Sequence, residues 1–189
     1  MKTLICLVRH GETNWNQQHL IQGRIDIDLN ENGVNQIHHT ALRLKQTQVI
    51  WDVYLSSPLQ RAISSCKIIR NCLNDENKPI IIRPNLIERE FGEYDGHIIN
   101  DDVYAKILND DVIGMEKSSE IQERAKEELV KIVKAYRGKN VLVVTHSHFI
   151  KALFTTLDHN LTFKSTLLNG GLNFIVFNDD EIESFDFNQ

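Results

Sequence analysis

The sequence is short of the features that mark several protein classes, and each shortage excludes something. No stretch of its 189 residues approaches the length of a membrane span, and the run Leu4 to Val8 ahead of Arg9 is too brief for the core of a secretory signal. Positive charge is not in excess: 21 Lys and Arg stand against 26 Asp and Glu, for a net charge of -5. That excludes the broad basic surface that nucleic acid or an anionic membrane requires, so any anionic ligand must be held locally. Cysteine is scarce. Cys6, Cys66 and Cys72 form no CxxC pair and leave an odd thiol in any disulfide scheme, which points to buried, reduced thiols and a cytoplasmic location. Proline is equally rare, at three residues. No linker, repeat or low-complexity block divides the chain, and its length fits one domain over residues 1–189.

What is present is a hydrophobic fraction of 41% and a charged fraction of 25%, the balance of an ordinary globule. The apolar run Thr3 to Val8 reads as a strand buried on both faces, with Arg9 and His10 at its C-terminal edge. Val34, Ile37, Ala41, Leu42 and Leu44 have helical spacing over residues 30–46, with Asn30 as the entry and His38 and His39 as surface or packing residues. A second strand spans Trp51 to Ser56, and Ser57-Pro58 opens a helix carrying Arg61, with Pro58 expected in its first turn. Residues 79–83 make a short strand, and a loop from Asn85 to Gly96 holds Glu88, Glu90 and Glu93. An amphipathic helix over 119–136 is stopped by Gly138. Asn140 to Thr145 is the clearest buried strand and delivers His146; a helix follows from about Phe149 to Leu157. Residues 172–187 read as a hairpin turning at 178–180.

Strands alternating with helices imply an α/β fold, a mostly parallel sheet with helices on both faces. Ligands gather at the C-terminal strand ends of such sheets, where His10 and His146 both fall. A phosphoryl group needs guanidinium and N–H donors around one centre, and Arg9, Arg61, Asn16 and the turn after His10 can supply them. A neutral His10, kept so by nearby arginines, can attack phosphorus with one ring nitrogen while the other fixes the tautomer. His146 would stabilise the transferring oxygens. A carboxyl in the loop from Glu88 to Glu93 would protonate the leaving alkoxide and then activate water, provided its pKa is raised. No metal or cofactor enters this scheme. The pair His146 and His148 after a buried strand also fits a metal hydrolase, but such enzymes need further ligands at other strand ends, and the chain is short for them.

The segments LVRHGETNWN (7–16), SSPLQRA (56–62), LIEREFGEYDG (86–96) and VTHSHFIKA (144–152) resemble, in order and spacing, the signatures of the histidine phosphatase superfamily, the phosphoglycerate mutase-like proteins. The resemblance implies a three-layer sandwich and metal-independent chemistry. It makes His10 the phosphate acceptor, with Arg9, Arg61 and His146 completing the pocket, and it selects Glu88 as the proton donor. It also places Asn16, Gln22, Gly23 and Arg89 on the phosphate or substrate. Where the family often has glycine after its second histidine, Ser147 and His148 stand here; the backbone N–H of Ser147 can still serve. Gly114-Met115-Glu116-Lys117 departs from a GGES-type family segment at Met115 and Lys117.

The residues about 97–118 form a short cap, partly apolar at Ile98, Ile99, Val103, Tyr104, Ile107 and Leu108, whose basic residue before Glu116 is Lys106. Mutases of the glycolytic type resemble the chain at Arg89 but carry a longer, more basic insertion; the position of their substrate lysine is Ile99 here. The resemblance therefore favours hydrolysis of a small phosphomonoester with a neutral or apolar leaving group: a sugar phosphate, a nucleoside monophosphate, phosphoserine or ribazole phosphate. A cofactor-dependent phosphoglycerate mutase is the alternative. A non-catalytic phospho-ligand binding module would be expected to have lost His10, Arg61, Glu88 or His146, and all four are present. The expected partner is a small phosphorylated metabolite, with neither nucleic acid nor membrane.

Overall fold

The computed structural model describes residues 1–188. Its elements run β1 (Lys2–Arg9), α1 (Asn14–Gln17), α2 (Glu31–Gln46), β2 (Val53–Ser56), α3 (Gln60–Cys72), β3 (Ile80–Ile82), α4 (Asp101–Leu108), α5 (Ser118–Ala135), β4 (Asn140–Thr145), α6 (Ser147–Thr155), β5 (Leu172–Asn178) and β6 (Glu181–Asp186). They form one six-stranded sheet in the order β3-β2-β4-β1-β5-β6. The pairs β3·β2, β2·β4 and β4·β1 are parallel; β5 and β6 are antiparallel, closing the chain as the expected hairpin.

Alternation along each buried strand divides the core into two layers. Cys6 and Val8 of β1, with Leu142 and Val144 of β4, point to Ile37, Ala41 and Leu44 of α2 and to Ala62, Cys66 and Ile69 of α3. Ile5, Leu7, Val141 and Val143 point the other way, to Ile121, Ala125, Leu129 and Ile132 of α5 and to Phe149, Ile150 and Leu153 of α6. The α/β sandwich expected from the sequence is the one observed. Cys6 and Cys66 are buried in it as small apolar residues, while Cys72 lies at its edge with Sγ 3.3 Å from His38 Nδ1.

Local chemistry sets the helix ends. The Asn30 side chain accepts from Gly33 N at 2.7 Å and starts α2 where the sequence placed it. Two starts differ from expectation. Pro58 precedes α3, whose first helical residue is Gln60, and α6 begins at Ser147 rather than near Phe149. The cap, read from sequence without secondary structure, contains α4, started by the Asn100 side chain on Val103 N. It packs Ile107, Val112 and Met115 against Ile21 and Phe91, closing over the C-terminal strand ends. Among the described residues no helix is long and apolar enough to cross a membrane.

Candidate active site

Parallel pairing of β1 with β4 puts Arg9 level with Thr145, so the next residue on each strand, His10 and His146, emerges at the same edge. Their rings lie 5.1 Å apart, centroid to centroid, inclined at 61°. The turn beyond His10 runs against the start of α2 so closely that a Cβ on Gly11 would lie 2.4 Å from the Gly33 carbonyl oxygen. Glycine is required there by that approach. Glu12, the next residue, accepts from the Asn30 and Asn32 amides at 2.9 and 3.0 Å and ties the turn to the helix.

His10 is buried, and its Nδ1 meets the Gly11 carbonyl oxygen at 2.7 Å. A carbonyl only accepts, so the proton resides on Nδ1 and Nε2 carries the free lone pair. Arg61 Nε donates toward that nitrogen at 3.3 Å. Burial first, then the charges of Arg61 and Arg9, hold His10 well below the usual histidine range; the Gly11 bond opposes them weakly. His146 is held low in the same way, by burial and then by Arg61. Its Nε2 shares a 2.7 Å hydrogen bond with Ser57 Oγ at the end of β2, and its Nδ1 is buried without a partner.

Arg61 is fully buried, and its fork is fixed by the loop carbonyls of Gly23 (2.7 Å) and Ile25 (2.8 Å). Gly23 in turn donates its N–H to Asp95 at 2.7 Å, so its part in the site is to hold Arg61. Arg9 donates through Nη1 to the Leu167 carbonyl, leaving a buried Nε with no partner. Burial brings both arginines down to about 10, so they remain cations at neutrality. Gln22 accepts from Thr13 Oγ1 at 2.7 Å and leaves its Nε2 unpaired. Asn16 caps α1 with Thr13 and faces the cavity.

Three backbone N–H groups converge on the Glu88 carboxylate. Oε1 accepts from Arg89 (2.8 Å) and Phe149 (3.2 Å), and Oε2 from His148 (3.2 Å). Two of these donors belong to the first turn of α6, so a carboxylate 60 residues upstream of His148 caps that helix and is held at its positive end. Glu90 and Glu93 are engaged elsewhere: Glu90 pairs with Arg24 at 3.4 Å, and Glu93 borders a separate surface hollow near Gly114.

The cavity over these groups measures about 310 Å³, the small end of ligand sites. Its polar lining is Arg9, His10, Asn16, Gln22, Glu88 and Ser147, with His148 and Lys151. Leu20, Ile21, Phe91, Ile99, Tyr104 and Ile107 supply the apolar lining. Residues 5–189 match the family described as the histidine phosphatase superfamily (branch 1). The chain belongs to the histidine phosphatase superfamily. This histidine phosphatase is similar to the uncharacterized phosphatase PhoE of Bacillus subtilis (strain 168), at 35% identity over 98% of this chain and 94% of that one. It is 33% identical to a metal-independent phosphoserine phosphatase of Arabidopsis thaliana, over 95% of this chain and 78% of the relative. Among solved structures it resembles a mutant phosphoserine phosphatase from Entamoeba histolytica in complex with phosphoserine, with a TM-score of 0.81, 27% identity, and coverage of 99% and 98%.

Of the residues nominated from sequence as phosphate- or substrate-binding in this histidine phosphatase, Gly23 and Arg89 do not line the cavity: Gly23 is committed to Asp95 and Arg61, and Arg89 is turned away. Its side chain is fully buried: Nε donates to the Glu116 carbonyl at 2.8 Å, and Nη2 pairs with Asp110 and the Ser118 hydroxyl. It braces the cap from behind because Asp110 and Glu116 close around it. The Gly114–Lys117 segment is likewise structural, with Met115 buried and Lys117 Nζ donating to the Asp110 carbonyl. Sequence reasoning missed Ser57, which orients His146, and Lys151, which enters the cavity from α6. Sequence position offers one weak signal for the second, that Ser147 and Lys151 at i, i+4 share one helix face, and it does not by itself turn a lysine inward.

Proposed function

We propose that the chain hydrolyses small phosphomonoesters through a phosphohistidine on His10, with Glu88 as general acid and then general base. The observation that carries this reading is the group of buried nitrogens without a partner, Arg9 Nε, Gln22 Nε2, His146 Nδ1 and His148 Nδ1, near an imidazole whose Nε2 lone pair meets only the long 3.3 Å contact from Arg61 Nε. Buried N–H groups without acceptors are costly, and an anion with several oxygens is the ligand that would satisfy them together.

Nε2 of His10 attacks phosphorus in line with the ester bond, which breaks as Glu88 in its acid form protonates the departing alkoxide. Arg9, Arg61 and His146 stabilise the charge on the transferring oxygens. Water then attacks the phosphohistidine and gives its proton to the Glu88 carboxylate; the N–P bond breaks, and phosphate leaves with His10 neutral again. Burial beside two arginines supports the neutral resting state that the first step needs. No step calls for a metal. Three free thiols accord with a reducing, cytoplasmic setting.

Transfer to a second substrate oxygen, as in a phosphoglycerate mutase, would use the same phosphohistidine. Lys106, the cap's basic residue, lies over the Tyr94 ring, 6.0 Å from its centroid, and borders the outer hollow rather than the catalytic cavity, so the cap adds no cation to Lys151 of α6 for a second acidic substrate, which favours water as the acceptor. A panel of phosphomonoesters assayed for inorganic phosphate in EDTA, with a parallel phosphoglycerate isomerisation assay with and without bisphosphoglycerate, tests this. Phosphate release unaffected by EDTA is expected. Isomerisation faster than hydrolysis, or a rate that zinc restores after EDTA, would contradict it.

A further inference from the structure

His146 can stabilise phosphoryl oxygens only through a nitrogen that carries a proton, and as a neutral imidazole it has one proton for two nitrogens. Ser57 decides where that proton sits. It is fully buried directly after β2, and its N–H donates to the Val144 carbonyl of β4 at 3.0 Å, so the strand that delivers His146 also fixes Ser57. Its Oγ lies 2.7 Å from His146 Nε2 and accepts the Leu59 N–H at 3.4 Å.

A hydroxyl has one proton to give. Among the described residues no carbonyl or carboxylate accepts it from Ser57 Oγ, whose partners are the Leu59 N–H, itself a donor, and His146 Nε2. The hydroxyl proton therefore goes to Nε2, which presents its lone pair, and the imidazole proton resides on Nδ1. Burial and the charge of Arg61 keep the ring from taking a second proton, so the tautomer is the freedom that remains to it. Nδ1 is buried with no partner in the protein. A buried N–H without an acceptor is costly, and an anionic oxygen relieves that cost. The other tautomer would turn a lone pair toward the same oxygen and strand the serine proton. His10 reaches its tautomer by a different route, through the Gly11 carbonyl on its Nδ1. The two rings, 5.1 Å apart, are thus set in one proton state by partners of opposite kind, an acceptor for His10 and a donor for His146.

We propose that Ser57 is a positioning residue that sets the tautomer of His146, donating its hydroxyl proton to Nε2 so that Nδ1–H is presented to the transferring oxygens. The proposal rests on the phosphatase reading and adds to it a group that never touches the substrate.

Long-range proton–nitrogen correlation spectra of protein labelled with ¹⁵N-histidine, recorded near neutral pH, read the tautomer directly, with His146 assigned by its loss in His146→Gln. In the wild type Nδ1 of His146 is expected to be of the protonated, pyrrole type and Nε2 of the unprotonated, pyridine type. In Ser57→Ala the proton should spread to Nε2. With it, kcat on p-nitrophenyl phosphate should fall by about tenfold or more with KM little changed, because the lost donor acts on charge that develops in the transition state. Inhibition by orthovanadate should weaken in parallel. Ser57→Thr keeps the hydroxyl and should restore both the spectrum and the rate. A serine that merely packs would leave the His146 spectrum of Ser57→Ala like that of the wild type, which overturns the proposal. If Ser57→Ala does not fold, the wild-type spectrum still decides: a proton on Nε2 overturns the role of Ser57 while phosphate release upholds the phosphatase reading. No release of phosphate by the wild type from p-nitrophenyl phosphate or from alkyl phosphates overturns that reading, and with it the use of the tautomer, whatever the spectrum shows.

Discussion

In the proposed scheme Glu88 gives a proton in one step and takes one in the next, so it has to stay in place between them, and three backbone N–H groups from two segments hold it. In Glu88→Gln the proton can no longer be delivered, so alkyl phosphates are expected to slow by about 10²-fold or more, while p-nitrophenyl phosphate, whose phenolate leaves unaided, slows far less. Equal losses on both, measured as kcat, would move the acid to Glu90 or Glu93. Residue chemistry alone left those three acids open; family resemblance singled out Glu88, and it is the one of the three that lines the cavity. His10, Arg9, Arg61 and His146 were legible because each combines an unusual residue type with a strand end or a helix start. Lys151 was not, because a lysine on a helix is ordinarily a solvated one, and only its bond to Phe163 turns it inward.

The buried strands were the most legible elements, since an apolar run bounded by polar turns has one interpretation in an α/β chain. The start of α6 was hidden for a physical reason: no side chain at its N-cap closes it, and the carboxylate that does lies in a distant loop. Helix α4 has eight residues, too few for a period to declare itself, and its burial is confined to Ile107. What fixes the cap is Arg89. Asp110 is 29% exposed and keeps two further bonds from Ser118, so Arg89→Met should cost roughly 1–3 kcal/mol, less than the loss of a fully buried pair. Urea denaturation should register that loss, with KM rising several-fold as Tyr104 and Ile107 loosen over the cavity. A variant with unchanged stability and a collapsed kcat would instead return Arg89 to the substrate, where the family resemblance had placed it.

Across the whole molecule the sheet places three histidines, His10, His146 and His148, where burial and neighbouring cations keep them neutral well below the usual 6.5. The unfolded chain protonates them near 6.5, so below that pH it binds protons the folded chain does not, and stability must fall with falling pH. Each contributes up to about 1.4 kcal/mol per pH unit in the window beneath 6.5. Urea midpoints taken at pH 5, 6, 7 and 8 should therefore drop steeply at the lower two values and differ little at the upper two, where Lys151, lowered to about 8, adds only a slight rise. A flat profile would mean that the three are charged in the fold, and a charged His10 is no nucleophile. The same molecule-wide arrangement, two strand ends meeting beneath a cap, makes the covalent intermediate the decisive species. Rapid quenching during turnover, followed by peptide mapping, should find one phosphoryl group on the peptide containing His10, stable in alkali, lost in acid, and absent from His10→Ala, which should also release no phosphate. A phosphoryl group on any other residue, or undiminished turnover by His10→Ala, would contradict the account.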